Sequence, residues 1–259
     1  MQRQYQFGDS DLAAERLAEV ARVFRESTAS LLRQVVGRPF KQVIDLGCGP
    51  GLTTRLLAEM LGADRTIGLD TSMHFLDLAR QHGSPSIRYL QHDVCTTPFP
   101  CGAADVVYCR YLLSHLPGVR AALEIWATQL EPDGLMLLDE VEAIHTTSPW
   151  FERYLGIVDG MLDAAGSRLY VGPLLESAVP DGALRIVRSD VRRMDVSNRD
   201  AAAMFSRNVP NWRANGFVRV RFSESEIDEL LAELLREAAA PANHSDITWE
   251  LRQMVLERV

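Results

Sequence analysis

A short apolar run ending in a cluster of glycines constrains this chain most. Gln42-Val-Ile-Asp-Leu46 reads as a buried strand, Gly47, Gly49 and Gly51 follow at once, and Leu52 to Leu61 reads as a helix. Strand, glycine turn and helix are the opening of a Rossmann-like unit. Glycine takes positive φ without strain and lets a ligand approach the backbone with no Cβ in the way. Leu52 stands where the third glycine of a G-x-G-x-x-G fingerprint would be, so the loop departs from the pyrophosphate-binding version. A nucleoside without phosphates fits it better.

The alternation continues. Strands are expected at Thr66 to Leu69, Ile87 to Gln91, Ala104 to Cys109 and Leu135 to Val141, the last after a turn at Glu131-Pro-Asp-Gly134. Helices separate them at Ser72 to Gln81 and Gly118 to Leu130. Strands alternating with helices imply a parallel sheet with helices on both faces. Before this core, Leu17, Val20, Phe24, Leu31 and Val35 recur at helical spacing, an amphipathic arm from Asp9 to Val36 with a break expected near Ser27. After it come a helix from Trp150 to Ala165, an irregular stretch to Pro180, and a strand from Leu184 to Met194. Helices near Asp200 to Asn211 and Glu224 to Ala239, then a strand at Ile247 to Val255, complete the chain.

Two acids follow the glycine turn in register. Asp70 closes the second strand 19 residues after Gly51, close to the separation at which a carboxylate accepts from a ribose diol. Asp93 follows the third strand, where it can accept from an exocyclic adenine amine, with Val94 packing on the ring. Asp45-Leu-Gly-Cys-Gly-Pro-Gly51, Asp70, Asp93 and Cys109-Arg110-Tyr111 together resemble the class I S-adenosylmethionine-dependent methyltransferases, particularly relatives of the ubiquinone and menaquinone biosynthesis enzymes. The resemblance covers roughly residues 40 to 141. It implies a Rossmann-like α/β fold with a seven-stranded, mostly parallel sheet, an N-terminal helical arm and a helical insertion after the fifth strand. The cofactor would be S-adenosylmethionine, leaving as S-adenosylhomocysteine, held by Asp45, Gly47, Cys48, Gly49, Gly51, Asp70, Thr71, Asp93, Val94, Cys109 and Arg110. One domain is expected over 1–259: arm 1–40, cofactor core 41–144, an insertion lining the acceptor pocket 145–182, and the remaining sheet and helices 183–259.

Charge narrows the acceptor. The net charge of -8 argues against a broad grip on nucleic acid or anionic membrane, leaving a small molecule as the expected partner. The four cysteines match no zinc or disulfide spacing, and no metal is expected. No run approaches the roughly 18 apolar residues of a membrane span, and the N-terminus carries no apolar signal-like stretch, so a cytoplasmic location is expected. Lys41 is the only lysine among 27 basic residues, which points to a G+C-rich, bacterial source.

Methyl transfer from a sulfonium is an in-line displacement that needs proximity more than a covalent nucleophile. An oxygen or nitrogen acceptor must usually lose a proton, and His115, just past the fourth strand, is the candidate base. Glu140 and Glu142 alternate along the fifth strand, with His145 close behind, as candidates to flank the acceptor; Glu140 could also stabilise a cation if carbon were methylated. In similar enzymes the arm folds over the cofactor, which makes Tyr5 a candidate contact. Trp150, Phe151, Tyr154 and Tyr170 could line an apolar pocket. The nine arginines between Arg185 and Arg221 either meet an anionic substrate or, the favoured reading, pair with the acidic helix after Ser223.

The expected function is methyl transfer to an O, N or C atom of a quinone-like or other specialised metabolite. A nicotinamide-dependent oxidoreductase also uses a glycine turn and strand-end acid, though Pro50 and Leu52 count against it. A cofactor-binding partner protein without catalysis is the third reading, with the N-terminal helix as a candidate homo-oligomer contact.

Overall fold

The computed structural model describes residues 7–116, 118–241 and 244–259. In chain order the elements are α1 (Asp11–Val23), α2 (Arg25–Arg33), β1 (Gln42–Leu46), α3 (Leu52–Leu61), β2 (Arg65–Asp70), α4 (Met73–Arg80), β3 (Ile87–Gln91), β4 (Ala104–Arg110), α5 (Val119–Ala127), β5 (Leu130–Thr146) and α6 (Pro149–Ala164). They continue with α7 (Leu175–Ala178), β6 (Leu184–Val196), α8 (Asn198–Trp212), α9 (Gly216–Arg221), α10 (Glu224–Ala239) and β7 (Ile247–Arg258). The seven strands form one sheet in the order β3-β2-β1-β4-β5-β7-β6, and β7 alone runs against its neighbours.

Every residue of β1 is buried, as a parallel strand covered on both faces requires. One face carries Val43, Val106, Leu135 and Leu137 against α2 and α3, through Leu31, Leu32, Leu56 and Leu57. The opposite face carries Ile44, Ile67, Val107 and Met136 against α5, through Leu123 and Trp126. Because β1 lies between β2 and β4 while the chain travels outward through β2 and β3 before returning, the order reverses at β1/β4. A ligand crevice forms at the carboxyl ends of strands at such a point.

Several boundaries differ from the sequence expectation. The arm breaks at Phe24, whose buried ring turns into the core, three residues before Ser27. Glu131 to Gly134 does not separate helix from strand: β5 begins at Leu130, and the four residues loop out as a register shift between Ala104/Leu130 and Val106/Leu135. Beyond Val141 the strand continues to Thr146 because β7 offers it a ladder as far as Ile247. Helix α9, which is missing from the expectation, is only six residues long and starts at an Asn215 cap on the Phe217 N–H.

The overrun of β5 and β7 carries a second layer. Val141, Trp249 and Leu251 pack with Phe151, Tyr154 and Leu155 of α6, Phe205 and Trp212 of α8, Val218 of α9 and Leu230 of α10. Phe7, Val20 and Phe24 from the arm join the same cluster, so the arm rests on its own chain. No helix among the described residues is long and apolar enough to cross a membrane.

Candidate functional site

Gly47, Gly49 and Gly51 all take positive φ, at 63°, 51° and 77°. Space demands glycine as much as conformation does. A Cβ on Gly51 would lie 2.5 Å from the Tyr89 hydroxyl, and one on Gly47 would lie 2.9 Å from Leu112 Cδ1. The turn is tied to the second strand at two points. The Cys48 N–H donates to the Leu69 carbonyl at 3.0 Å, and the Gly49 N–H donates to Asp70 Oδ2 at 2.8 Å. The other Asp70 oxygen accepts the Ser72 N–H at 2.8 Å, which fixes the carboxylate between loop and helix α4. Burial raises the Asp70 pKa, opposed by these backbone donors.

The opposite lip is built by β4 and the 3-10 turn Leu113–His115. Tyr111 sits between them at φ 52°, a backbone conformation that costs a bulky residue about 1–3 kcal/mol. Glu140, fully buried on β5, supports this lip from below: its Oε1 accepts the Leu112 and Leu113 N–H groups at 2.9 and 3.0 Å and the Cys109 thiol at 3.4 Å. The arm spans both lips. Asp9 accepts from the Ser72 hydroxyl at 3.0 Å, Asp11 pairs with His74 at 3.0 Å, and Phe7 meets the His115 ring edge-on at 5.3 Å between centroids. Leu17 comes within 3.3 Å of where a Cβ on Gly49 would stand, so the arm covers the glycine turn.

A glycine cradle at the β1/β4 switch point, with a strand-end acid beside it, is the geometry of a nucleoside site in an α/β sheet. The family model described as a methyltransferase domain matches residues 43–134, the segment that forms this cradle. This segment is a class I methyltransferase domain. S-adenosylmethionine is the cofactor of that class. The chain is 30% identical over 181 residues to a trans-aconitate 2-methyltransferase from Delftia acidovorans, covering 61% of this chain and 65% of the relative. It is 32% identical over 109 residues to a ubiquinone biosynthesis O-methyltransferase from Actinobacillus pleuropneumoniae, covering 39% and 46%. Both matches span less than two thirds of the relatives' length. In three dimensions it is similar to a methyltransferase described as putative from Bacillus halodurans, with a TM-score of 0.60 at 16% identity over 89% of this chain and 98% of the other.

Within the methyltransferase domain the expected contacts divide into those facing the crevice and those turned inward. Gly47, Gly49, Gly51 and Asp70 come together as described. Thr71 and Asp93 are exposed at the ends of their strands, and Asp93 also holds its own turn by accepting the Cys95 N–H at 2.9 Å. Asp45 lies buried beneath the turn, accepting from the Thr54 hydroxyl at 2.7 Å, and burial pushes its pKa up to about 7. The Cys48 side chain packs behind the loop with Leu76 and Tyr89. Cys109 is buried against Glu140, and Val94 is a core residue with Phe99 and Trp126, which leaves little of its side chain for an adenine ring. Arg110 turns toward the arm, donating to the Thr28 hydroxyl at 3.1 Å.

The catalytic expectations change more. Crowding by the arm, with the Arg16 guanidinium nearby, lowers the His115 pKa to about 3, so His115 stays neutral and is a poor base near neutral pH. Glu140 and Glu142 do not flank an open acceptor site. Glu140 supports the lip from within the core, and Glu142 sits at a register shift and forms a two-pronged pair with Arg252 at 2.8 and 2.9 Å. His145 pairs with Glu250 at 3.4 Å. Phe151 and Tyr154 belong to the helical core, Tyr154 stacked on Phe205 at 3.9 Å, while Trp150 and Tyr170 are only partly buried. Arg213 pairs with Asp228 on the acidic helix, but Arg185, Arg188 and Arg193 pair with Glu257, Asp190 and Glu250 on the sheet. Tyr5 lies outside the described residues.

Sequence reasoning missed a buried polar network under the site. Asp139, fully buried, accepts from Thr28 at 3.1 Å, Gln253 at 3.1 Å and the Tyr108 hydroxyl at 3.4 Å. Thr28 thereby joins the arm to Asp139 and Arg110 at once. The signal was an acid pair, Asp139-Glu140, inside the otherwise apolar run Leu135 to Val141. Thr28→Val, which keeps the shape and removes the hydroxyl, should destabilise the fold by about 1–3 kcal/mol by leaving buried charge underpaired. Thermal unfolding should register this as a drop of about 3–8 °C, restored in Thr28→Ser.

Proposed function

We propose that this chain transfers the methyl group of S-adenosylmethionine to a carboxylate oxygen of a small organic acid. The glycine cradle braced by Asp70 is the observation that carries the cofactor half of this reading. A carboxylate with lone pairs left over from Gly49 and Ser72 suits a ribose diol, and a Cβ at Gly47 or Gly51 would collide with Leu112 or Tyr89 and deform the turn. Asp70 would hold the ribose, exposed Asp93 the adenine amine, and the backbone of the turn the amino-acid end. The bound cofactor supplies an electrophilic methyl on a good leaving group. The chain's part is to align the acceptor and exclude water.

The acceptor half rests on charge and proton affinity. His115 remains neutral at the lip, so an acceptor that arrives already ionised suits this site better than one that needs a base. Half-buried Arg16, whose guanidinium lies 5.2 Å from the Phe7 ring centroid, brings positive charge to the same lip. The relative named for trans-aconitate gives independent support for a small polyacid.

Thermal unfolding with S-adenosylmethionine, S-adenosylhomocysteine and NAD tests the cofactor. At about 100 times Kd a ligand adds about 2.7 kcal/mol, a rise of roughly 5–10 °C for a chain of this size, expected for the sulfur nucleosides alone. A shift with NAD alone would overturn the reading. Methyl transfer to trans-aconitate and a panel of di- and tricarboxylic acids tests the acceptor, with phenols and amines as controls. Turnover confined to the controls would refute it.

A further inference from the structure

We propose that Tyr111 orients the acceptor, its buried hydroxyl donating a hydrogen bond to an oxygen of the bound carboxylic acid. The inference rests on the methyl-transfer reading above and names a residue for it. Tyr111 is the first residue beyond β4, on the lip of the crevice at the β1/β4 switch. Its backbone is left-handed, φ 52°, at a position where glycine or asparagine would sit without strain. Two contacts hold that conformation: the Tyr111 N–H donates to the Asp139 carbonyl at 3.2 Å, and the Ser114 hydroxyl reaches the Tyr111 carbonyl at 3.5 Å. Strain of this kind collects at ligand sites, so the side chain that accompanies it is a candidate for function.

The ring packs against the helical core layer but ends in a polar atom. The ring is walled by Phe24, edge-on at 5.7 Å, and by the Arg110 guanidinium, 5.1 Å from the ring centroid. Phe24 in turn meets Trp249 at 5.7 Å. The hydroxyl at the end of this ring is buried and has no hydrogen-bond partner among the described residues. Phenylalanine would fill the same space without burying an unmatched polar group, so the hydroxyl points to a partner that arrives with the substrate. Burial beside Asp139 and Glu140 holds the phenol well above its ordinary pKa, which keeps it a donor. A donor among aromatic walls fits a carboxylate oxygen next to an apolar body.

Tyr111→Phe tests this with the ring kept. On protein saturated with S-adenosylhomocysteine, calorimetric titration with trans-aconitate and the carboxylic acid panel should give an acceptor Kd raised about 10- to 100-fold in the variant. The Kd for S-adenosylhomocysteine should stay within about twofold of wild type, and Tm should hold or rise, because an unmatched buried hydroxyl has gone. Wild-type binding with unchanged affinity in the variant would overturn the role of Tyr111 alone. Absence of binding by wild type to every acid would overturn the carboxylic acid reading itself, and with it this proposal. A lower Tm with unchanged acceptor affinity would assign the hydroxyl to the fold and refute the inference.

Discussion

Asp70→Ala is expected to weaken S-adenosylmethionine binding by about 3–4 kcal/mol, roughly 150- to 1000-fold, while the protein remains folded. Two losses combine. Under the proposed assignment the ribose loses two charge-assisted hydrogen bonds, each worth about 1.5–3 kcal/mol net of the bonds water would make. The glycine turn also loses its brace, since Asp70 holds the Gly49 N–H at 2.8 Å and the Ser72 N–H at 2.8 Å. A turn of positive-φ glycines without that brace samples many conformations, and binding must then restore the one that fits. Asp70→Asn separates the two effects: its amide oxygen can still accept from one backbone donor, so a loss intermediate between wild type and alanine is expected. Calorimetric titration decides the matter, and an alanine variant within threefold of wild type would remove Asp70 from the cofactor site.

Local signals carried the cofactor half of the molecule. Gly47, Gly49, Gly51 and Asp70 lie within one strand-turn-helix-strand unit, where spacing along the chain nearly dictates spacing in space. The same locality explains why Glu224 to Ala239 was legible to the residue: Ser223 and Glu226 form a capping box visible in the sequence. What was illegible is long-range. Nothing near His115 announces that Phe7 crowds its ring with Arg16 nearby, and the lowered pKa follows from that distant contact. Strand periodicity put Glu140 and Glu142 on one face, but a register shift between Val141 and Ala143, set by pairing with β7, separates their fates. Tyr111 was legible only as part of the Cys109-Arg110-Tyr111 motif, because its conformation is a property of the turn and of Asp139 beneath it, not of its own side chain.

Glu140 makes the protein's stability depend on pH in an unusual direction. Burial raises its pKa from 4.5 to about 7, against the pull of the Leu112 and Leu113 N–H groups. The folded state therefore holds the proton more tightly than the unfolded chain does, so the stabilisation is complete below about pH 4.5 and is lost as pH rises through 7. At about 1.4 kcal/mol per unit, this amounts to about 3 kcal/mol. Asp45, also raised to about 7, acts in the same sense. Glu140→Gln retains an oxygen for the two N–H groups and cannot ionise, so it should match wild type at pH 5 and exceed it by about 2–3 kcal/mol at pH 8. Glu140→Ala leaves both donors unmatched in the core and should cost about 3–5 kcal/mol at pH 5. Denaturant unfolding of all three proteins across pH 5–8 is the measurement. A glutamine variant whose stability falls with pH as steeply as wild type would show that the Glu140 carboxyl ionises in the fold as it does in the unfolded chain, and would move the pH dependence to Asp45.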